Sequence, residues 1–134
     1  MQPTCYVTTP IYYVNDKPHI GHAYTSLAAD VMARYKRLDG YDVMFLTGTD
    51  EHGQKIEQAA EKRGVGPQQL TDQVSQNFRD LSAVMGYSND DFIRTTEERH
   101  RKACQHLWGV LKEKGEIYLG KYVGWYAVRD EAFY

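Results

Sequence analysis

The spacing of three apolar segments near the start constrains this chain most. Thr4 to Thr9 mixes β-branched and aromatic residues and stops at Pro10, as a strand does. From Ile20 to Leu38, Ala23, Leu27, Val31, Tyr35 and Leu38 recur at helical spacing, and Asp39-Gly40 closes the pattern. Asp42 to Leu46 then carries four consecutive apolar residues, which predicts a buried second strand. Strand, helix, strand at this spacing is a βαβ unit with parallel strands and a right-handed crossover. Both strand ends, near Pro10 and Thr47, therefore fall on one edge of the sheet.

That edge carries the chemistry. The stretch from Thr8 to His22 reads as a strand end, a loop and a first helical turn. A helix start presents N–H groups without intrahelical partners and partial positive charge, a ready seat for phosphate. His19 and His22 share one side of that turn, and Gly21 between them admits a bulky ligand against the backbone. By residue type alone, three readings stay open: phosphate donors, packed histidines, or a His-x-x-His zinc half-site with His52 as a possible third ligand. Asp50, placed just past the second strand, suits either a substrate ammonium group or an N-cap for the helix that follows. Ile11 and Tyr13 alternate on the extended entry to the loop, so both face one side, as pocket walls or as core.

These residues carry a resemblance. His19-Ile20-Gly21-His22 is similar to the His-Ile-Gly-His signature of class I aminoacyl-tRNA synthetases, and Pro10 to Asn15 resembles the methionyl-tRNA synthetases in particular. Phe45 to Gly53, with Thr49-Asp50-Glu51-His52-Gly53 at its core, resembles the methionyl pattern. The likeness extends through Asp91 to His100 and Gly124-Trp125-Tyr126. It implies an α/β fold: the first half of a Rossmann-like parallel-sheet nucleotide-binding domain over residues 1–115, then the start of an inserted connective domain over 116–134. It implies methionine–tRNA ligation, with ATP and Mg²⁺ as substrate complex, L-methionine as the activated acid and tRNA(Met) as acceptor. It assigns His19 and His22 to catalysis and, with Gly21, to ATP. Ile11, Tyr13 and Asp50 it assigns to methionine.

Two departures qualify it. Relatives carry a Cys-x-x-Cys zinc knuckle after a Gly-Trp-Tyr segment, where this chain has Ala127-Val128-Arg129-Asp130, so no structural zinc is expected there. The Lys-Met-Ser-Lys-Ser loop of the class is absent, and the chain stops at Phe133-Tyr134 in mid-pattern, which reads as a cut. Removal of half a sheet is expected to leave an apolar edge that associates.

The remaining chain predicts a helix through Arg63 broken at Gly64-Val65-Gly66-Pro67, and a second with Leu70, Val74, Phe78, Leu81 and Met85 in one stripe. A short strand at Phe92-Ile93 follows, then a capping box at Thr95-Thr96-Glu97-Glu98 opening a helix to Lys114 with Ala103, Cys104, Leu107 and Leu111 inward. Glu116 to Tyr134 reads as a hairpin around Gly120 and Gly124. A formal charge of −2 argues against a chain that coats nucleic acid, so tRNA contact is local or lies elsewhere. No apolar run approaches the roughly 20 residues of a membrane span, and the N-terminus has no leader pattern. The chain is expected to be cytoplasmic, with Cys5 and Cys104 as reduced core thiols.

Overall fold

The computed structural model describes residues 2–130 and 132–134; Met1 and Glu131, which fall within the two expected segments, lie outside it. Its contacts divide the chain into two compact units, Met1–Arg101 and Lys102–Tyr134.

In the first unit, β1 (Thr4–Thr8) leads through Pro10 into a two-residue strand β2 (Tyr12–Tyr13), then α1 (Ile20–Leu38) and β3 (Asp42–Asp50). Next come α2 (Gln54–Arg63), α3 (Pro67–Met85) and β4 (Asp91–Arg94), while α4 (Glu98–Glu113) spans the division at Arg101. All pairings in this sheet are parallel. β3 is its centre: β1 pairs with its first half, β2 with its last two residues, and β4 lies along its other side. The end of β1 lies beside Thr47 as expected, since the Thr9 and Thr47 hydroxyls hydrogen-bond at 2.7 Å and the Thr9 N–H donates to the Leu46 carbonyl, but β3 runs on past this point.

Side chains alternate across a strand, so register decides which face each residue joins. Val43 and Phe45 pack with Ala33 in one cluster under α1. Tyr12 and Phe92, registered with Thr49 and Thr47, join Val14, Ile56, Ala60, Leu70, Val74 and Phe78 in a second cluster under α2 and α3. The three helices thus cover one face of the sheet. On the other, Tyr6 and its partner Met44 are exposed, so the consecutive apolar run of β3 does not mark a strand buried on both sides.

Gly48 also lies on this second face, where β4 comes so close that an added Cβ would sit 2.1 Å from the Ile93 carbonyl oxygen. A side chain there would force the two strands apart.

Several expectations change. β3 continues to Asp50, so Asp50 is the last residue of the strand and not part of the loop beyond. The apolar stripe of α1 faces outward: Leu27, Val31, Tyr35 and Leu38 are exposed, while Ser26, Asp30 and Ala33 are buried. The cause is a polar tether. Asp30 accepts from the Ser88 N–H at 2.6 Å, the Ser88 hydroxyl at 2.7 Å and Arg34 at 2.7 Å, while Arg37 reaches Ser88 and Asp90. Burial alone would raise the Asp30 carboxyl; the Ser88 and Arg34 partners outweigh it and hold it below the usual carboxylate range.

In α4 no residue is buried, and Ala103, Cys104 and Leu107 are exposed, so the helical period there marks a face and not a core. Cys104 is therefore not a core thiol, while Cys5 is half-buried in β1. α4 starts at Glu98, later than the expected capping box implies, and the Thr95 and Thr96 hydroxyls meet Glu51.

The second unit holds a short antiparallel hairpin, β5 (Tyr126–Ala127) with β6 (Ala132–Phe133). It falls after Gly124 and not around Gly120, and Phe133 packs edge-on to Tyr122 at 4.8 Å.

Candidate active site

The loop from Val14 to Pro18 delivers the chain to the start of α1, where the two histidines cap the helix with each other. His19 is the N-cap, and its Nδ1 accepts from the Gly21 N–H at 3.1 Å. His22 Nδ1 in turn accepts from the His19 N–H at 3.1 Å. The arrangement does with two imidazoles what a capping box does with Ser and Glu. Because each Nδ1 is an acceptor, the ring proton of each neutral imidazole resides on Nε2. The rings stack at 3.8 Å with 22° between planes.

Gly21 has a local reason to be glycine. A Cβ there would lie 3.0 Å from the His19 ring, so its absence lets that ring fold back onto the backbone.

His22 is half-buried and rests against an aromatic wall. Tyr12 meets it edge-on at 4.8 Å and Phe78 of α3 at 5.1 Å, and those two rings stack on each other at 5.5 Å. Burial, and repulsion from a proton on His19, both keep the His22 imidazole below the usual histidine value. It is neutral at pH 7 and donates through Nε2.

Asp50 ends β3 in register with Tyr13. Its Oδ1 is 3.5 Å from the His52 N–H, at the limit of a hydrogen bond. It is not a helix cap, because α2 starts at Gln54 behind Gly53, whose φ of 121° no ordinary residue favours. Tyr13 and Ile11 are 52% and 42% exposed, whereas Tyr12 and Val14 between and beside them are buried, so the expected alternation is present and Ile11 is not core. β2 therefore turns Tyr12 toward the histidines and sets Tyr13 beside Asp50.

Sequence reasoning missed the group that fixes this strand end. Glu51, 4% exposed, accepts from Thr49 at 2.8 Å, from Arg94 Nε at 2.6 Å and Nη2 at 2.9 Å, and from Thr96 at 2.5 Å. Its own N–H donates to the Thr95 hydroxyl, and Arg94 also reaches Asp72 of α3 at 2.6 Å. The Glu51 carboxylate holds the Arg94 guanidinium firmly protonated, and Arg94 draws the Asp72 carboxyl below its usual range. The only signal was chemical: a carboxylate directly after a buried strand needs a cation, and Arg94 ends the neighbouring strand.

His52 Nδ1 lies 3.1 Å from the Thr95 hydroxyl. Among the described residues no group of three or more His, Cys, Asp or Glu side chains is placed to hold a metal ion, so His19, His22 and His52 do not form a zinc site.

Known proteins are similar to this chain. A family model described as tRNA synthetases class I (M) matches residues 5–134. The methionine–tRNA ligase of Rickettsia bellii is 66% identical over 134 residues, which is all of this chain and 26% of that protein. That of Halalkalibacterium halodurans is 60% identical over 133 residues, 99% of this chain and 20% of its own length. Among solved structures, Mycobacterium tuberculosis methionyl-tRNA synthetase bound by methionyl-adenylate superposes with a TM-score of 0.91 at 50% identity, covering 99% of this chain and 26% of that one. The chain thus spans 20–26% of the length of these relatives. With parallel βαβ topology, the paired helix-capping histidines and this match over nearly its whole length, the chain belongs to the class I tRNA synthetases, in the methionyl group.

Proposed function

We propose that these residues form the first half of the active site of a methionine–tRNA ligase, which joins L-methionine to ATP as methionyl adenylate and passes the methionyl group to the 3′ end of tRNA(Met). The observation that carries this reading is the pair of imidazoles at the start of α1, both with Nδ1 committed to a backbone N–H, which leaves Nε2 of each as the donor.

Activation moves charge onto phosphate oxygens as the methionine carboxylate attacks and pyrophosphate leaves. Donors fixed in advance on those oxygens lower that barrier, and they cost no reorganisation because the cap already holds them. His19 and His22 are these donors, with Gly21 leaving the backbone open beneath the nucleotide. Asp50, at the end of the central strand, takes the substrate ammonium in a charge-assisted hydrogen bond. Ile11 and Tyr13, exposed on the same stretch, contact the thioether side chain.

Mg²⁺ enters with ATP as part of the substrate complex, and no residue described here is assigned to it. The remainder of the tRNA and pyrophosphate contacts belong to parts of such an enzyme that these residues do not include. On this reading residues 1–115 are the N-terminal half of the catalytic domain and 116–134 the start of the connective insertion, without zinc at Ala127–Asp130. The enzyme works in the cytoplasm, and no helix among the described residues is long and apolar enough to cross a membrane.

The test is methionine-dependent exchange of labelled pyrophosphate into ATP by the protein at its natural length. Exchange that requires methionine and falls by about a hundredfold or more in His22→Gln is expected, the usual scale for loss of one preorganised donor. Exchange driven equally by other amino acids, or untouched by the substitution, contradicts the reading.

A further inference from the structure

Among the described residues, the His22 side chain has one polar restraint, the hydrogen bond from the exposed His19 N–H in a first helical turn, where helices fray. A single bond leaves the ring free to tilt about it. What removes that freedom comes from far along the sequence. Phe78, 2% exposed, presents its ring to the His22 imidazole at 5.1 Å with 70° between planes, the geometry that sets a positive ring edge against a negative ring face. Tyr12 closes a second side at 4.8 Å and 61°. Tyr12 is itself immobilised by its hydroxyl on Ser26 at 3.0 Å, by its pairing with Thr49 and by the stack on Phe78. Phe78 lies in the middle of α3, in the same cluster as Leu70, Val74 and Ile56, so the wall behind the imidazole is continuous with the core.

We infer that Phe78, acting together with Tyr12, is a positioning residue: it fixes the plane and the donor direction of the His22 imidazole. The inference rests on the reading of His22 as a phosphate donor. It adds to that reading a residue of α3, outside both motif stretches. The groups that titrate beside the ring are His19 and Tyr12, and Phe78 brings none, so its effect on the imidazole is one of packing and exclusion of water.

The experiment uses the protein at its natural length and compares Phe78→Leu with Val74→Ala, a cavity-forming change on the same helix in the same cluster. Two quantities are read: kcat and KM for methionine-dependent pyrophosphate exchange, and the titration of His22 by NMR on histidine-labelled protein, its resonance assigned by its loss in His22→Gln. Phe78→Leu is expected to lower kcat by about tenfold to a hundredfold, as misplacing a catalytic group does, with KM for methionine within about twofold. It is also expected to move the His22 titration up toward the ordinary value of about 6.5. Val74→Ala is expected to lower thermal stability and leave both quantities near wild type.

Wild-type kcat and titration in a folded Phe78→Leu protein overturn the inference. So does an equal change in Val74→Ala, which would mark Phe78 as a core residue only. If the wild-type protein shows no exchange at all, the functional reading falls, and the titration alone then decides the role of Phe78.

Discussion

Each motif histidine closes the start of α1 through its Nδ1, and on the proposed function its Nε2 is the donor to phosphate. This coupling has a pH signature for His22, whose folded imidazole titrates below its unfolded value. The unfolded chain therefore binds this proton first as pH falls. The stability it contributes is complete above about 6.5 and is lost as pH drops from there through the folded value. Urea midpoints measured from pH 7.5 to 5 should fall more steeply for wild type than for His22→Gln, whose amide oxygen can still accept from the cap but does not titrate. Parallel slopes would show that the His22 proton is not linked to folding.

The spacing of the two histidines was legible because a helix places residues three apart on one side. The tautomer was not, since it follows from which nitrogen meets which N–H.

At the scale of elements, Glu51 and Arg94 bind β3, β4 and α3 at the point where Asp50 emerges. Arg94→Met would leave a buried carboxylate with hydroxyl partners alone. We expect a loss of about 3–5 kcal/mol in urea unfolding, the cost of stranding one member of a buried pair. A loss below about 1 kcal/mol would mean that Thr49 and Thr96 suffice for the carboxylate.

The residues of this pair are 43 apart in sequence, which is why no local pattern announced them. The bounds of α1, by contrast, could be read directly from its period and its Asp39-Gly40 stop. Its orientation could not. Periodicity reports where apolar surface lies, and the tether from Asp30 to Ser88 decides which surface faces the sheet. β2 escaped notice for a different reason: a strand of two residues has no period to detect.

For the whole molecule, the parallel order followed from strand–helix–strand spacing, and the uncovered sheet face did not, because β3 is apolar on both sides. Parallel sheets are ordinarily covered on both faces. Tyr6 and Met44 on the sheet and Leu27, Val31 and Tyr35 on α1 are exposed apolar surface. Produced by itself, this 134-residue chain is expected to associate. Light scattering should give a mass above 15.5 kDa that rises with concentration, and Leu27→Lys with Val31→Glu should reduce it. A concentration-independent monomer of the unaltered chain would contradict this.

The reversed α1 also inverts which of its positions tolerate change. For the fold of these residues, the leucines and valine that hydrophobicity would protect are open to polar replacement. Ser26 and Asp30, which look like ordinary surface positions, are closed to it. A substitution profile of this helix would rank Ser26, Asp30 and Ala33 above its leucines and valine.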